Sequence, residues 1–105
     1  MTRNVLPQRR HAETFSVRFW DQDWIVTIGF YGDHTSPGEV FVSSRKSGSE
    51  VESTARDGAI LLSLAIQHGV PIETITSALT RNADGAPSTL IGVVAELIAK
   101  RPVPA

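Results

Sequence analysis

The sequence contains no cysteine, which excludes disulfide bonds, thiolate catalysis and every cysteine-based metal site. It also lacks any apolar run near the roughly 20 residues that a membrane-spanning helix needs. The N-terminal segment has no apolar stretch of the kind found in secretory signals. We therefore expect a cytoplasmic protein that does not enter a membrane.

Excess charge of either sign is also lacking, because 10 Lys and Arg residues face 11 Asp and Glu residues, for a net charge of −1. Contacts to phosphates need a clearly cationic surface, so the balance argues against nucleic-acid binding. The local exception is a basic N-terminal arm, residues 1–12, with Arg3, Arg9, Arg10 and His11. A contact with an anionic partner is one interpretation, but the sequence favours a solvated, partly disordered tail.

The residues that carry metal or acid-base chemistry are scattered. Histidines occur at His11, His34 and His68, and none has a second ligand at helical spacing. We therefore predict no metal site and no cofactor. Asp21, Asp23 and Asp33 fall in predicted turns, where aspartate commonly closes the turn. With no catalytic residues to propose, an enzymatic activity of its own is the least favoured function.

Alternation of apolar and polar residues predicts three β-strands in the first half of the chain. The three segments are Glu13 to Trp20, Trp24 to Tyr31 and Glu39 to Ser43. A turn at Asp21 to Asp23 joins the first two strands, and a segment rich in glycine, proline and serine joins the second to the third. These features indicate an antiparallel meander.

Helical periodicity marks the second half of the chain. The segment Glu52 to Gly69 predicts a long helix that ends where Gly69 and Pro71 stop it. Ser49, three residues before Glu52, is typical of a capping box. From Ala59 onward nearly every position is apolar, which predicts burial on more than one face. A short helix follows in PIETITSAL, and a third begins after a cap at Ser88.

Three strands followed by three helices predict one α+β domain over residues 1–105, with the helices packed on one sheet face and a flexible tail at 102–105. Apolar residues would remain for the opposite face. They are Trp20, Ile25 and Tyr31. This set is a candidate protein interface, and formation of a homodimer through it is one possibility.

A polar loop between the third strand and the long helix is a second candidate site. It consists of Arg45, Lys46, Ser47, Gly48 and Ser49. Backbone N–H groups at a helix N-terminus, together with the Lys46 ammonium, suit a phosphate; the alternative is an ordinary connector. On the helix itself, Arg56 and Asp57 precede the apolar stretch, and we expect an ion pair that fixes the helix on the sheet.

Most of the chain, from about Trp24 to Leu97, resembles the TSCPD domain, found at the C-terminus of vitamin B12-dependent ribonucleotide reductases and in small stand-alone proteins. The resemblance rests on EVFV with the K-x-G loop, on SLAIQHGVPIETI, and on Ala86-Pro87-Ser88. That last segment stands where the family's motif has Cys-Pro-Asp. Because alanine replaces the cysteine, no metal or redox role carries over to this chain.

The resemblance implies a non-catalytic accessory or protein-interaction module, with a ribonucleotide reductase as one candidate partner. The alternative is a small-ligand protein that binds phosphate or a nucleotide through the 44–49 loop. In that case Lys46→Ala should weaken nucleotide binding, and a nucleotide should raise the melting temperature.

Overall fold

The computed structural model describes residues 2–44 and 49–101. Three strands are followed by three helices, as the sequence patterns predict. The strands are β1 (Ala12–Phe19), β2 (Gln22–Phe30) and β3 (Pro37–Ser44), and the helices are α1 (Glu50–Gln67), α2 (Ile72–Ala78) and α3 (Leu90–Ala99). The predicted α+β class is therefore confirmed.

The three strands form an antiparallel sheet in the order β1-β2-β3. Val26 pairs with Phe15 of β1 and with Val42 of β3, so these three side chains share one face of the sheet. We call this the inner face. Ile25 lies on the opposite, outer face, between Ser16 and Ser43. The alternation of Trp24, Val26 and Ile28 with Ile25 and Thr27 in the sequence thus matches the two faces of β2.

The core lies between the inner face and the helices α1 and α3. Its fully buried members are strand residues with large side chains and small or branched residues of the two helices. They include Val26, Ile28, Phe30, Val40, Ala59, Leu62, Val94 and Ala95. Gly58 lets α1 approach α3, because a Cβ at this position would lie 2.7 Å from Cγ1 of Ile91.

The helix ends follow the capping rules. The Ser49 hydroxyl accepts a hydrogen bond from the Glu52 N–H at 3.0 Å, which is the first of the two bonds that define the predicted capping box. Gly69, with φ of 88°, closes α1. The third helix is capped by Thr89, which accepts from the Gly92 N–H at 3.0 Å. The predicted cap at Ser88 was wrong by one residue, because the Ser88 hydroxyl bonds instead to Asn82 at 2.7 Å.

The N-terminal segment makes contacts with the domain, and most of its described residues are exposed to solvent. The Asn4 N–H donates to the Gln67 carbonyl oxygen at 2.7 Å. Arg10 forms an ion pair with Glu39 of β3. These bonds tie the segment to both the end of α1 and the sheet. The predicted tail at 102–105 lies outside the described residues.

The turn between β1 and β2 differs from the predicted one at Asp21 to Asp23. Its two central residues are Trp20 and Asp21, with positive φ angles of 51° and 59°. Phe19 and Gln22 pair directly across the turn. Two positive φ angles in a two-residue hairpin loop define a type I′ turn, which favours Asn-Gly and disfavours a bulky side chain. Tryptophan at this position is therefore strained.

Replacing the turn by Asn-Gly, in the double variant Trp20→Asn/Asp21→Gly, should raise the free energy of unfolding by about 1 to 2 kcal/mol, because the strain at both positions is relieved. Chemical denaturation followed by circular dichroism measures the change. Trp20→Ala is the matched control, since it removes the indole but retains a Cβ at positive φ. A double variant no more stable than this control would contradict the interpretation.

Candidate interaction groove

Helix α1 covers the free edge of β3, and it runs antiparallel to that strand. Three buried polar side chains of α1 bond to outward-pointing backbone groups of the strand. Glu52 accepts from the Ser44 N–H at 3.0 Å, Ser63 accepts from the Val40 N–H at 2.8 Å, and Gln67 donates to the Gly38 carbonyl at 2.8 Å. We call these three residues the polar ladder. It takes the place of a fourth strand, because edge groups excluded from water need partners.

The ladder has a gap at Val42. Backbone groups along an antiparallel strand alternate between the two neighbours, so Val42 points its N–H and C=O towards α1, as Val40 does. Moving one helical turn towards the N-terminus from Ser63 leads to Ala59, whose methyl group cannot form a hydrogen bond. Within residues 2–44 and 49–101, no side chain bonds to these Val42 groups. The edge is therefore only partly satisfied.

A groove opens at this gap, between the outer face of the sheet and α1. Its volume is about 400 Å³. The lining residues are Ile25, Thr27, Val40, Phe41, Val42, Ser43, Arg56, Ala59 and Ile60. Phe41 and Ile60 leave 55% and 56% of their surface exposed. Large apolar side chains that stand exposed together around a groove are typical of a binding surface.

Among the described residues that line the groove, Arg56 alone carries a charge. It lies one helical turn before Ile60, so both side chains project from the same side of α1. The expected ion pair of Arg56 and Asp57 is not formed: neither residue has a salt bridge with any part of the chain that the structure describes. Adjacent helical positions point about 100° apart, which explains why the two side chains do not meet.

The predicted interface residues do not form one surface. Ile25 lines the groove. Trp20 is 81% exposed at the tip of the β1–β2 hairpin, where its ring stacks on Phe19. Tyr31 lies at the opposite end of β2, and its hydroxyl donates to the Asn4 carbonyl oxygen. An interface through Trp20, Ile25 and Tyr31 stays a prediction, although the three residues are separated along the sheet.

The predicted anion-binding loop falls mainly outside the described residues, which omit Arg45, Lys46, Ser47 and Gly48. Ser49 is described, and its hydroxyl is engaged as the N-cap of α1. Phosphate or nucleotide binding by this loop therefore stays a prediction.

The sites predicted from the sequence did not include Phe41 and Ile60. The segment EVFVS contains the signal for Phe41, because alternation places it opposite in direction to Val40 and Val42. The apolar run from Ala59 onward gave the wrong prediction for Ile60. Burial on several faces was predicted from Ala59 onward, yet Ile60 and Leu61 are 56% and 67% exposed. The prediction was wrong because α1 lies at the sheet edge, so one side of this stretch faces solvent.

A second cavity, of about 360 Å³, lies where the ends of all three helices approach the loop before β3. Arg101 is the one cation among the described residues that line it. The guanidinium is already occupied, because it bonds Glu13 at 2.6 Å and lies 4.5 Å from the centre of the Phe30 ring. We therefore place the candidate site at the groove beside β3 and not here.

The carboxylates with the clearest pKa shifts have structural roles. The Ser36 hydroxyl and the backbone N–H groups of Thr35 and Ser36 lower the pKa of Asp33 to about 2. The hydrogen bond from Arg101 lowers the pKa of Glu13. Both groups are ionised at neutral pH, so neither is tuned to act as a general acid. No group of three or more His, Asp or Glu residues within 2–44 and 49–101 is arranged to hold a metal ion.

Residues 81–88, which include the Ala86-Pro87-Ser88 segment, form a loop between α2 and α3 that is closed by its own hydrogen bonds. Arg81 and Pro87 form an isolated β-bridge. The Asn82 N–H bonds the Ala86 carbonyl at 2.8 Å, and the Ser88 N–H bonds the Thr80 carbonyl at 3.0 Å. The segment thus serves to set the start of α3.

A three-stranded meander with an edge-covering helix and two further helices defines a small α+β domain. The sequence profile of the TSCPD domain family matches residues 1–101. The chain therefore belongs to the TSCPD domain family. The resemblance inferred from the residues alone is confirmed. No described helix is long and apolar enough to span a membrane.

The chain is also similar to part of much longer enzymes. The vitamin B12-dependent ribonucleotide reductase of Rhodopirellula baltica is 32% identical over 75 residues, which cover 71% of this chain and 7% of the reductase. The enzyme of the same name from Agrobacterium fabrum is 32% identical over 78 residues, or 74% of this chain and 6% of that protein. The similarity is confined to a small part of each reductase. No solved structure gives a significant match.

Proposed function

We propose that this chain is a non-catalytic interaction module that binds another polypeptide through the groove beside β3. The observation that carries the proposal is the exposure of Phe41 and Ile60 beside one groove, which Ile25 also lines. Covering these side chains removes apolar surface from water, which favours association by roughly 25 cal/mol for each Å² buried. A neighbouring polar rim of Thr27 and Ser43 is typical of protein interfaces.

A vitamin B12-dependent ribonucleotide reductase is the partner we propose first. The support is that the segment similar to this chain makes up 7% of one such reductase and 6% of another. We propose that this chain then acts in trans on a reductase of this kind. A second copy of this chain is the alternative occupant, since a groove with apolar walls also suits a homodimer.

The experiment compares affinity capture by the tagged wild-type protein with capture by Phe41→Ser and Ile60→Ser, using lysate of the native cells and mass spectrometry. We expect reductase subunits in stoichiometric amount with the wild type and at least ten-fold less with either variant, because each loses a well-buried contact worth about 1.4 kcal/mol or more.

Leu61→Ser is the matched control. Leu61 is the neighbour of Ile60 on α1 and is 67% exposed, but it does not line the groove. The Leu61→Ser variant should capture as much partner protein as the wild type. Equal loss in Ile60→Ser and Leu61→Ser would contradict a groove-specific interaction. If only the chain itself is recovered, and light scattering shows a dimer that Phe41→Ser abolishes, the partner is a second copy of this chain and not a reductase.

A further inference from the structure

Arg56 has no carboxylate partner within residues 2–44 and 49–101, in contrast to four other arginines. Four others form ion pairs: Arg10 with Glu39, Arg18 with Asp23, Arg81 with Glu96, and Arg101 with Glu13. Within the parts of the chain that the structure describes, Arg56 has no such pair, although it stands on the wall of the groove. A guanidinium binds a carboxylate in a bidentate, geometrically specific way.

The residues around Arg56 restrict the class of ligand that can supply this carboxylate. Ile25, Phe41 and Ile60 form apolar walls around it. A free inorganic phosphate would pair with Arg56 but would leave these walls exposed to water. A nucleic-acid backbone needs several cations along its path, and the described residues of the groove lining contribute one.

The backbone of Val42, which lines the groove, favours a ligand that has hydrogen-bonding groups of its own. The Val42 N–H and C=O that point towards α1 have no partner in the described chain, since the polar ladder is interrupted at Ala59. A ligand with backbone amide groups of its own can satisfy such groups, whereas a purely aliphatic ligand cannot. This favours a polypeptide segment over a lipid or hydrocarbon.

We infer that the groove recognises a linear segment in which one Asp or Glu side chain is flanked by aliphatic residues. The acidic group pairs with Arg56, and the aliphatic side chains pack on Ile25, Phe41 and Ile60. The groove volume of about 400 Å³ lies in the range of sites that hold a few side chains. This inference rests on the proposed function and specifies the chemistry of the partner.

The test selects peptides from a random 12-residue library displayed on phage against the full chain. We expect the selected peptides to share an acidic residue flanked by Leu, Ile or Val. Binding of the best synthetic peptide is then measured by fluorescence polarisation. Arg56→Gln should weaken it ten-fold or more, and replacing its acidic residue by the amide should do the same, because a charge-assisted hydrogen bond is lost.

Arg9→Gln is the matched control, because Arg9 is likewise exposed and forms no described ion pair. It should leave the affinity unchanged, and thermal melting checks that every variant is folded. Selected peptides without an acidic residue, equal affinity for Arg56→Gln and wild type, or no selected peptide at all would overturn the inference. If capture of the natural partner still depends on Phe41 and Ile60 in that case, the proposed function stands and only the acidic specificity fails.

Discussion

Phe30→Ala is expected to lower the free energy of unfolding by about 3 to 5 kcal/mol, which is a large part of the total stability of a domain of this size. Phe30 is fully buried in the core. Its ring also contacts two residues outside the core. The His11 ring lies 5.3 Å away, and the Arg101 guanidinium lies 4.5 Å from its centre. Truncation therefore leaves a cavity and removes a cation–π contact.

The matched control for this prediction is Phe41→Ala. It makes the same truncation on the adjacent strand β3, but at a position that is 55% exposed. We expect it to cost less than about 1 kcal/mol, because little buried volume is lost. Urea denaturation of both variants gives the comparison. Similar losses for Phe30→Ala and Phe41→Ala would contradict the assignment of the two faces of the sheet.

Ser63→Ala should have the second large effect on stability, about 1 to 3 kcal/mol, although it removes a single oxygen atom. The Ser63 hydroxyl oxygen accepts from the Val40 N–H at 2.8 Å and also lies 3.2 Å from the Val40 carbonyl oxygen. Both residues are buried. Without the hydroxyl, the edge of β3 would have two neighbouring unsatisfied positions, at Val40 and Val42.

Ser77→Ala is the control for Ser63→Ala. The Ser77 hydroxyl donates a hydrogen bond to the Glu73 carbonyl oxygen of its own helix at 2.8 Å, but Ser77 is exposed on α2. Both substitutions change helix propensity equally, so their difference isolates the effect of the β3 edge. We expect Ser77→Ala to change stability by less than about 0.5 kcal/mol. If the two variants melt alike, α1 does not serve as a substitute for a fourth strand.

The strands and helices were predictable because their residues repeat with the period of the structure that they form. Val26 and Ile28 alternate with Ile25 and Thr27, and this order alone fixes which side chains share a face. The end of α1 was predictable for a similarly local reason: Gly69 adopts a positive φ, and Pro71 cannot continue the helix.

The hairpin tip and the groove depend on relationships that the sequence does not display. Trp20 has no local preference for positive φ, and the pairing of Phe19 with Gln22 imposes it. Ile60 is apolar, and only the position of α1 along the β3 edge exposes it. Likewise, Arg56 and Phe41 line one groove because two segments distant in sequence pack side by side. Local patterns cannot specify such tertiary contacts.

The strained, exposed Trp20 offers a second surface that is independent of the groove. Its conformation costs stability, and its side chain is 81% exposed, so the core gains little from it. The groove, in contrast, combines apolar walls with an Arg56 and a Val42 backbone that lack partners among the described residues. For this reason we propose the groove, and not the hairpin tip, as the binding surface, and the two surfaces are distinguishable by footprinting.

Amide hydrogen exchange of the captured complex, compared with the free protein, tests the groove most directly. We predict slower exchange on binding in the segments 40–44 and 56–61, and unchanged exchange at the hairpin tip, residues 19–22. Slower exchange at the tip, with 40–44 and 56–61 unchanged, would contradict binding through the groove and assign the interface to Trp20.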